Sequence, residues 1–577
     1  MANSFEKNNI GLDFGTTYSI ISRLEDKKYN SKGDLEDYRL EAWIPSEGSG
    51  SGFEDSIVVK KKDGKYTSGS VARNETGRVG SKTFKGFKMM LAENDERALS
   101  AQGYDENDTP ENITKIFLSQ LFEKFTSRKL FGEEKIDNLV IGVPEIWFKK
   151  LKTTDCRKKL EEMVKKIPCV SNVELISEPA AACAYCVDNY RKKNKKRFNG
   201  RILVVDYGGG TLDIALCGVA DKGNCSEVSV EYRCGAGENE EGHIGRAGLA
   251  FMEEVVKVAL RTTGLNDDQI KAHRYFYKYL HDIEIAIMGN GTIIKNNFTY
   301  NNTITKRIKS TEEIAAIAID EENEIIVTCG MLAQAYENVI RPVLTEKLND
   351  VIEYMKKKNI TYSNDNDNFK IAIVGGFSNF YLTNENIANC FAANVSSMEE
   401  FTDVVKEEDR EKAISFGATL VANRLIDFKL LSPIHLGIGS GDESGLNKSW
   451  IIIKKNQEIT YDKPIFAADE DGDPLIFRGK CIPLLVYSYT DDDDLDGETP
   501  LYYGLPHERH QKSMELDPKK LYKIGFSFDS STIITLHTQA VKSDGSLDGE
   551  LKSIQLDDLD GIFGNITTVK LVKNNNV

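Results

Sequence analysis

The sequence predicts an α/β fold of two similar lobes, followed by a smaller β-rich region. Two short segments repeat one plan, buried-looking apolar runs between and after them end at proline or glycine, and past about residue 430 the texture changes. The first segment is Asn9-Ile10-Gly11-Leu12-Asp13-Phe14-Gly15-Thr16-Thr17-Tyr18. The second is Arg201-Ile202-Leu203-Val204-Val205-Asp206-Tyr207-Gly208-Gly209-Gly210-Thr211-Leu212-Asp213. In each, an apolar run ends on an aspartate, a Gly/Thr turn follows and a second apolar run leads away. That reads as strand, tight turn, strand.

These residue types point to phosphate and metal chemistry. Glycines let the backbone approach a phosphate closely, and successive amides with threonine hydroxyls form an anion cradle. An aspartate at each strand end can hold a hydrated divalent cation. A matched pair implies two lobes closing on one metal-nucleotide from opposite sides.

Composition narrows the class. At 577 residues the chain exceeds one core, and about four units are expected at roughly 150 residues each. Hydrophobic content of 40% with 28% charged residues is ordinary for a globular protein. The net charge of −16 argues against a nucleic-acid scaffold and against an anionic membrane surface. The polar start Met1-Ala2-Asn3-Ser4-Phe5-Glu6-Lys7 has no apolar h-region, and no apolar run reaches spanning length, so the expected compartment is the cytoplasm. The ten cysteines are scattered. Cys183-Ala184-Tyr185-Cys186 reads as small buried side chains one helical turn apart, ahead of redox or metal ligation, because no second pair accompanies it. His507 and His510 read as solvated.

Along the chain, Gly48-Ser49-Gly50-Ser51-Gly52 marks a loop, and Asn138 to Pro144 reads as a buried strand running into a proline. Glu178-Pro179-Ala180-Ala181-Ala182 opens a helix, with proline at the first helical position and a carboxylate just before it. The basic run Arg191 to Arg197 reads as a solvated connection ahead of a nuclear signal. Ile371-Ala372-Ile373-Val374-Gly375-Gly376-Phe377-Ser378-Asn379 is another strand into a glycine turn, and Ala413-Ile414-Ser415-Phe416-Gly417-Ala418 is a small-residue helix suited to close packing. Beyond residue 430, Ile451-Ile452-Ile453, Leu484-Leu485-Val486-Tyr487 and Tyr522 to Phe528 alternate with acidic or glycine turns, as in an all-β domain. Asp469 to Asp473 reads as a turn, since its glycine and proline are misplaced for a calcium loop and no bidentate glutamate follows, and the like-charge run Asp491 to Asp494 reads as a solvated loop or turn.

On these motifs the chain resembles the 70-kDa heat-shock chaperone (DnaK-type) family, within the actin/hexokinase superfamily of ATPases. The resemblance covers the first 430 residues. Ile10 to Ser19 and Asp206 to Asp213 are similar to its two phosphate motifs, Ile176 to Ala182 and Ala413 to Ala418 to its connecting helices, and Val374 to Ser378 to its adenosine motif. The resemblance implies a two-lobed actin-like ATPase over residues 1–430, with ribonuclease-H-like duplicated sheets (lobe I about 1–200, lobe II about 201–400). A β-sandwich for substrate or partner binding would follow over 431–577. It implies ATP or ADP with Mg2+ as cofactors.

By the same resemblance, Asp13 and Asp206 hold the metal through water, and Glu178 positions the attacking water or the metal's hydration shell. Lys88 supplies the positive charge, with Lys85 as the second candidate because the spacing has slipped. Thr16, Thr17, Gly208, Gly209, Gly210 and Thr211 bind phosphates, with Thr211 also counted as catalytic, and Gly15 and Tyr18 are further nucleotide-binding residues. Glu284, Gly375, Gly376, Ser378 and Asn379 bind the nucleoside, and Pro144 matches a conformational-switch proline.

Several positions depart from the family. Its adenine clamp carries two bases where Ile287 and Met288 stand here, so an apolar sandwich is expected, and Asn379 replaces an arginine. The glycine turn after the second phosphate motif reads Ile244-Gly245-Arg246-Ala247-Gly248-Leu249, and the acidic leucine-rich linker is replaced by Leu425 to Leu430. Leu431 to Ile438 resembles the first strand of the substrate domain, and after Thr567 to Val572 no lid helices are expected. The implied function is an ATP-hydrolysing chaperone-like protein whose nucleotide state controls binding of unfolded or extended protein segments, with co-chaperones left open. The alternative is a non-hydrolysing nucleotide-sensing scaffold for one dedicated partner.

Overall fold

The computed structural model describes residues 7–31, 35–45, 52–93, 95–127, 135–145, 147, 156–223, 225–236, 247–262, 264, 266–271, 276–318, 324–361, 368–391, 404–442, 445–469, 471–478, 484–488, 501–504, 516–529, 533–556 and 567–569. The expected loop at Gly48–Ser51, the altered turn Ile244–Arg246, the acidic run Asp491–Asp494, His507, His510 and Lys570–Val572 fall outside the described residues. The chain divides into two units: Met1–Ile146, Glu162–Val228 and Tyr232–Asp427 in the first, Trp147–Glu161, Ser229–Glu231 and Phe428–Val577 in the second.

The repeated sequence plan becomes a repeated hairpin. In the first unit, strand Asn9–Phe14 pairs antiparallel with Tyr18–Tyr29, placing Asp13 opposite Ile20. On its other side it runs parallel to Ile136–Val143, which in turn flanks Val170–Ser177. The second hairpin joins Gly200–Tyr207 to Leu212–Asp221, with Phe369–Val374 parallel alongside. Each hairpin thus borders a parallel neighbour that arrives by a long crossover. Ile10, Leu12, Ile202, Leu203, Val204 and Val205 are completely buried. Covering on both faces is why these strands read as continuous apolar runs rather than alternating ones.

Two small-residue helices pack against the sheets and each other. Glu178–Asn194 and Ala413–Ala422 approach so closely that a side chain at Gly417 would collide with the Ala181 carbonyl. Thr419 of the second helix accepts from the Gly11 amide at 3.1 Å, tying that helix to the first strand. The helix at 178 begins with Glu178 itself, capped by Ser177, so Pro179 is its second residue and not its first. Cys183 and Cys186 lie on this helix, fully buried. The basic run is divided: Arg191 to Asn194 finish the helix, and Lys195 ends it in a left-handed conformation.

Less legible from sequence is a three-stranded sheet of order Tyr66–Ser68, Ile57–Lys60, Lys82–Lys85, backed by helix Pro110–Ser127. The Leu425–Leu430 segment contains strand Ile426–Phe428, placed at the edge of the sheet built on the second hairpin.

The second unit is rich in antiparallel strands. One sheet has the order Gly445–Ile453, His435–Asp442, Leu484–Ser488, Leu501–Gly504, Thr567–Val569. The other runs Ile465–Phe466, Leu521–Phe528, Ile534–Val541, Leu547–Gln555. Leu436, Ile438, Leu485 and Tyr487 of the first share one core with Ile524, Phe526 and Leu536 of the second. At Asp469 the side chain accepts from the amides of Asp471 (3.1 Å) and Asp473 (2.8 Å), which makes that acidic stretch a turn.

Candidate metal-nucleotide site

The two Gly/Thr turns face each other. A side chain at Gly210 would meet the Thr16 hydroxyl, and one at Gly209 would meet the Thr17 hydroxyl, so only glycine admits this approach. Each turn is braced from behind. Ser56 donates to the Gly15 carbonyl at 2.7 Å through its hydroxyl and to the Thr17 carbonyl at 2.8 Å through its amide. In the other turn the Gly208 amide donates to the Thr211 carbonyl at 3.0 Å. The helix Gly248–Arg261 then presents its first amides to the same turn, Gly248 to Gly208 at 3.1 Å and Leu249 to Gly209 at 2.6 Å.

Between the turns lies a group of carboxylates with one lysine. Glu178 opens its helix, where the dipole favours an anion, and forms an ion pair with Lys88. Both side chains are buried. Lys88 reaches this point from the short helix Phe87–Met90, with its Nζ also 5.7 Å from the centre of the Phe14 ring. The hairpin register sets Asp206 directly opposite Asp213, and Glu178, Asp206 and Asp213 each offer an oxygen within 4.8 Å of the others. Asp206 Oδ1 and both Asp213 oxygens are buried without a hydrogen bond of good geometry.

The electrostatics follow from that crowding. Burial first, then the Glu178 charge, hold Asp206 and Asp213 well above the usual carboxylate range. Half-buried Asp13 is pushed up to about 7 by burial and by Glu178, with Lys88 opposing. Buried oxygens that lack donors and carry raised pKa values are suited to a bound cation. The donors are all carboxylate oxygens, which suits a hard ion such as Mg2+ and not zinc. Of the expected metal pair, Asp206 has an oxygen that converges with those of Glu178 and Asp213, and Asp13 stands within the field of Glu178 and Lys88. Asp213 was not among the expected site residues, and the clue to it is the register, since a four-residue turn after Tyr207 puts Leu212 opposite Tyr207 and Asp213 opposite Asp206.

The other expected residues are spread around this centre. Lys85 ends the strand Lys82–Lys85, where burial lowers its pKa against the opposing charges of Glu284 and Asp55; it is Lys88 that meets Glu178. Thr211 is buried at the second turn. Tyr18 hydrogen-bonds Glu284 from across the chain, and burial with the Glu284 charge raises its phenol pKa. Gly375 and Gly376 follow the strand paired with Asp206. The Ser378 hydroxyl is fully buried and donates to the Gly375 carbonyl at 2.6 Å, so it shapes this turn. Asn379 is exposed and donates to Glu411 at 3.3 Å. Ile287 packs partly against the core, whereas Met288 is exposed.

Residues 59–233 match the family model for the Hsp70 protein. That stretch holds Lys88, Glu178, Asp206, the second glycine turn and Asp213. The chain is 28% identical over 234 residues to the chaperone protein DnaK of Mycoplasmoides gallisepticum, covering 40% of this chain and 33% of the relative. It is 27% identical over 234 residues to that of Mycoplasmopsis agalactiae, covering 40% and 32%. It is 27% identical over 230 residues to that of Cyanidium caldarium, covering 37% and 33%. The matches span about a third of the length of these curated relatives. Over this segment the chain is similar, at low identity, to the Hsp70 family.

Proposed function

We propose that this chain is an Mg2+-dependent ATPase of chaperone type. In this reading the first unit is a two-lobed actin-like nucleotide-binding domain over about residues 1–430, and residues 431–577 form a β-sandwich that binds extended protein segments. One observation carries it: Lys88, Glu178, Asp206 and Asp213 converge between two facing glycine turns, with carboxylate oxygens left without donors.

ATP hydrolysis needs an oriented water and positive charge near the phosphoryl group as charge redistributes. Asp206, Asp213 and Glu178 would hold Mg2+ directly or through its waters, and the ion would neutralise phosphate charge. Lys88 would face the transferred phosphoryl group, and Asp13 would accept hydrogen bonds from the metal's water shell. Gly15, Thr16, Thr17 and Gly208 to Thr211 would supply amides and hydroxyls to the phosphates. Tyr18, Glu284, Gly375, Gly376 and Asn379 would border the nucleoside, with Ser378 holding the Gly375 turn. Extended peptides can join a sheet edge through main-chain hydrogen bonds, which the antiparallel sheets of the second unit are suited to accept.

The test is ATP turnover of the full chain with and without an unfolded polypeptide. Phosphate release that needs Mg2+ and responds to the polypeptide is expected. Tight ATP binding with no phosphate release would leave a nucleotide-sensing scaffold instead.

A further inference from the structure

Behind the carboxylates lies a charged pair that the proposed chemistry does not use. Glu145 follows Pro144 at the end of strand Ile136–Val143 and is 1% exposed. Neither of its carboxylate oxygens accepts a hydrogen bond of good geometry. Its charge is met by Arg233, whose Nε lies 3.2 Å from Glu145 Oε1 and whose side chain is 16% exposed. A carboxylate buried in this way persists as an anion only beside a cation.

The two residues come from different sheets. Glu145 follows a strand that runs beside the Asp13 strand, whereas Arg233 lies on strand Ser226–Ala236, in the sheet that carries Asp206 and Asp213. Gly235 is two residues beyond Arg233 and so shares its face of the strand. A side chain at Gly235 would come within 3.4 Å of Asp213 Oδ1. The face bearing Arg233 is therefore the face against which Asp213 stands, and the Glu145 charge is felt at Asp213.

We propose that Glu145 and Arg233 form a strut between the two sheets that fixes where Asp213 stands, making both of them positioning residues for the divalent cation. This rests on the metal-nucleotide reading above. Partners one layer behind metal ligands commonly set ligand orientation, and their loss costs about ten- to hundredfold in metal affinity. Without Arg233 or without the Glu145 charge, the tie between the sheets is lost. Asp213 then keeps its chemistry but not its place.

Calorimetry on the full chain tests this, with ADP titrated once in Mg2+ and once in a chelator. Glu145→Gln is expected to weaken Mg·ADP binding by about tenfold or more, while metal-free ADP binding stays within about twofold. Arg233→Lys keeps the charge but carries it on a shorter side chain without the guanidinium that meets Glu145 Oε1, so it should show the same metal selectivity to a smaller extent; it carries the test if Glu145→Gln does not fold. The double variant Glu145→Gln/Arg233→Gln should bind Mg·ADP no worse than the weaker single, because one strut is removed once. Mg·ADP binding within twofold of wild type in both singles would overturn the proposal. So would equal weakening with and without metal, the mark of a merely structural pair. A wild-type chain that binds no Mg·ADP would sink the nucleotide reading instead. Titration with Mn2+ alone, followed by electron paramagnetic resonance, would then read the strut, and undiminished Mn2+ affinity in Glu145→Gln would overturn it.

Discussion

Replacing Lys88 by methionine keeps most of the side-chain volume and removes the charge facing Asp13, Glu178, Asp206 and Asp213. Lys88 pairs with buried Glu178 and is the opposing charge at each of the three aspartates. Removing one partner of a buried pair costs about 3–5 kcal/mol. At roughly 2 °C per kcal/mol for a large domain, the melting temperature should fall by about 6–10 °C. In the proposed hydrolysis the transition state would lose a fixed positive charge in the same step, and such electrostatic donors are worth about 2.7–4 kcal/mol, or roughly a hundred- to thousandfold in turnover. Added Mg2+ should stabilise the variant more than it stabilises wild type, since the ion supplies charge that the lysine no longer does. Differential scanning fluorimetry with and without Mg2+, beside a phosphate-release assay, reads all three effects. Turnover within twofold of wild type and an unchanged melting temperature would refute this reasoning and misplace Lys88.

Two further outcomes concern packing and pH. Gly417→Ala should raise stability by about 1 kcal/mol if helix propensity decided it, but the collision with the Ala181 carbonyl predicts a loss of about 1–3 kcal/mol; the sign of the shift in urea midpoint settles which effect wins. His537, bonded to the Ser527 and Ser553 hydroxyls at 2.7 and 2.8 Å, has its pKa lowered by burial. The unfolded chain therefore takes up a proton before the folded one as pH falls below about 6.5, and stability declines there by up to about 1.4 kcal/mol per pH unit. Urea melts between pH 7.5 and 5.5 should show this slope and show it flattened in His537→Gln; equal slopes would contradict it.

What could be read from the chain itself was what local chemistry encodes. Asp13 and Asp206 stand at strand ends because each apolar run stops at an aspartate and a glycine turn follows, and both hairpins form there. The helices at Glu178 and Ala413 were legible from their small residues, which matter because the two helices nearly touch at Gly417. Long-range pairings were not legible. Lys85 and Lys88 are three residues apart, and only the break between a strand and a helix at Gly86 sends one toward Glu284 and the other to Glu178. Glu145 and Arg233 are far apart in sequence and carry no motif, yet their ion pair joins two sheets. Ser378 sits in a recognisable turn, but the bond from its hydroxyl to Gly375 depends on a backbone geometry that composition does not reveal.

The proposed function places a metal-nucleotide among the carboxylates between the two glycine turns. Calorimetric titration of ADP into the full chain, in Mg2+ and in a chelator, tests this directly for wild type and for Asp206→Asn. The proposed function predicts saturable binding by wild type that strengthens with Mg2+, and residual ADP binding by Asp206→Asn that no longer depends on the metal. Mg2+ enhancement undiminished in Asp206→Asn, or no binding of Mg·ADP by wild type, would contradict it.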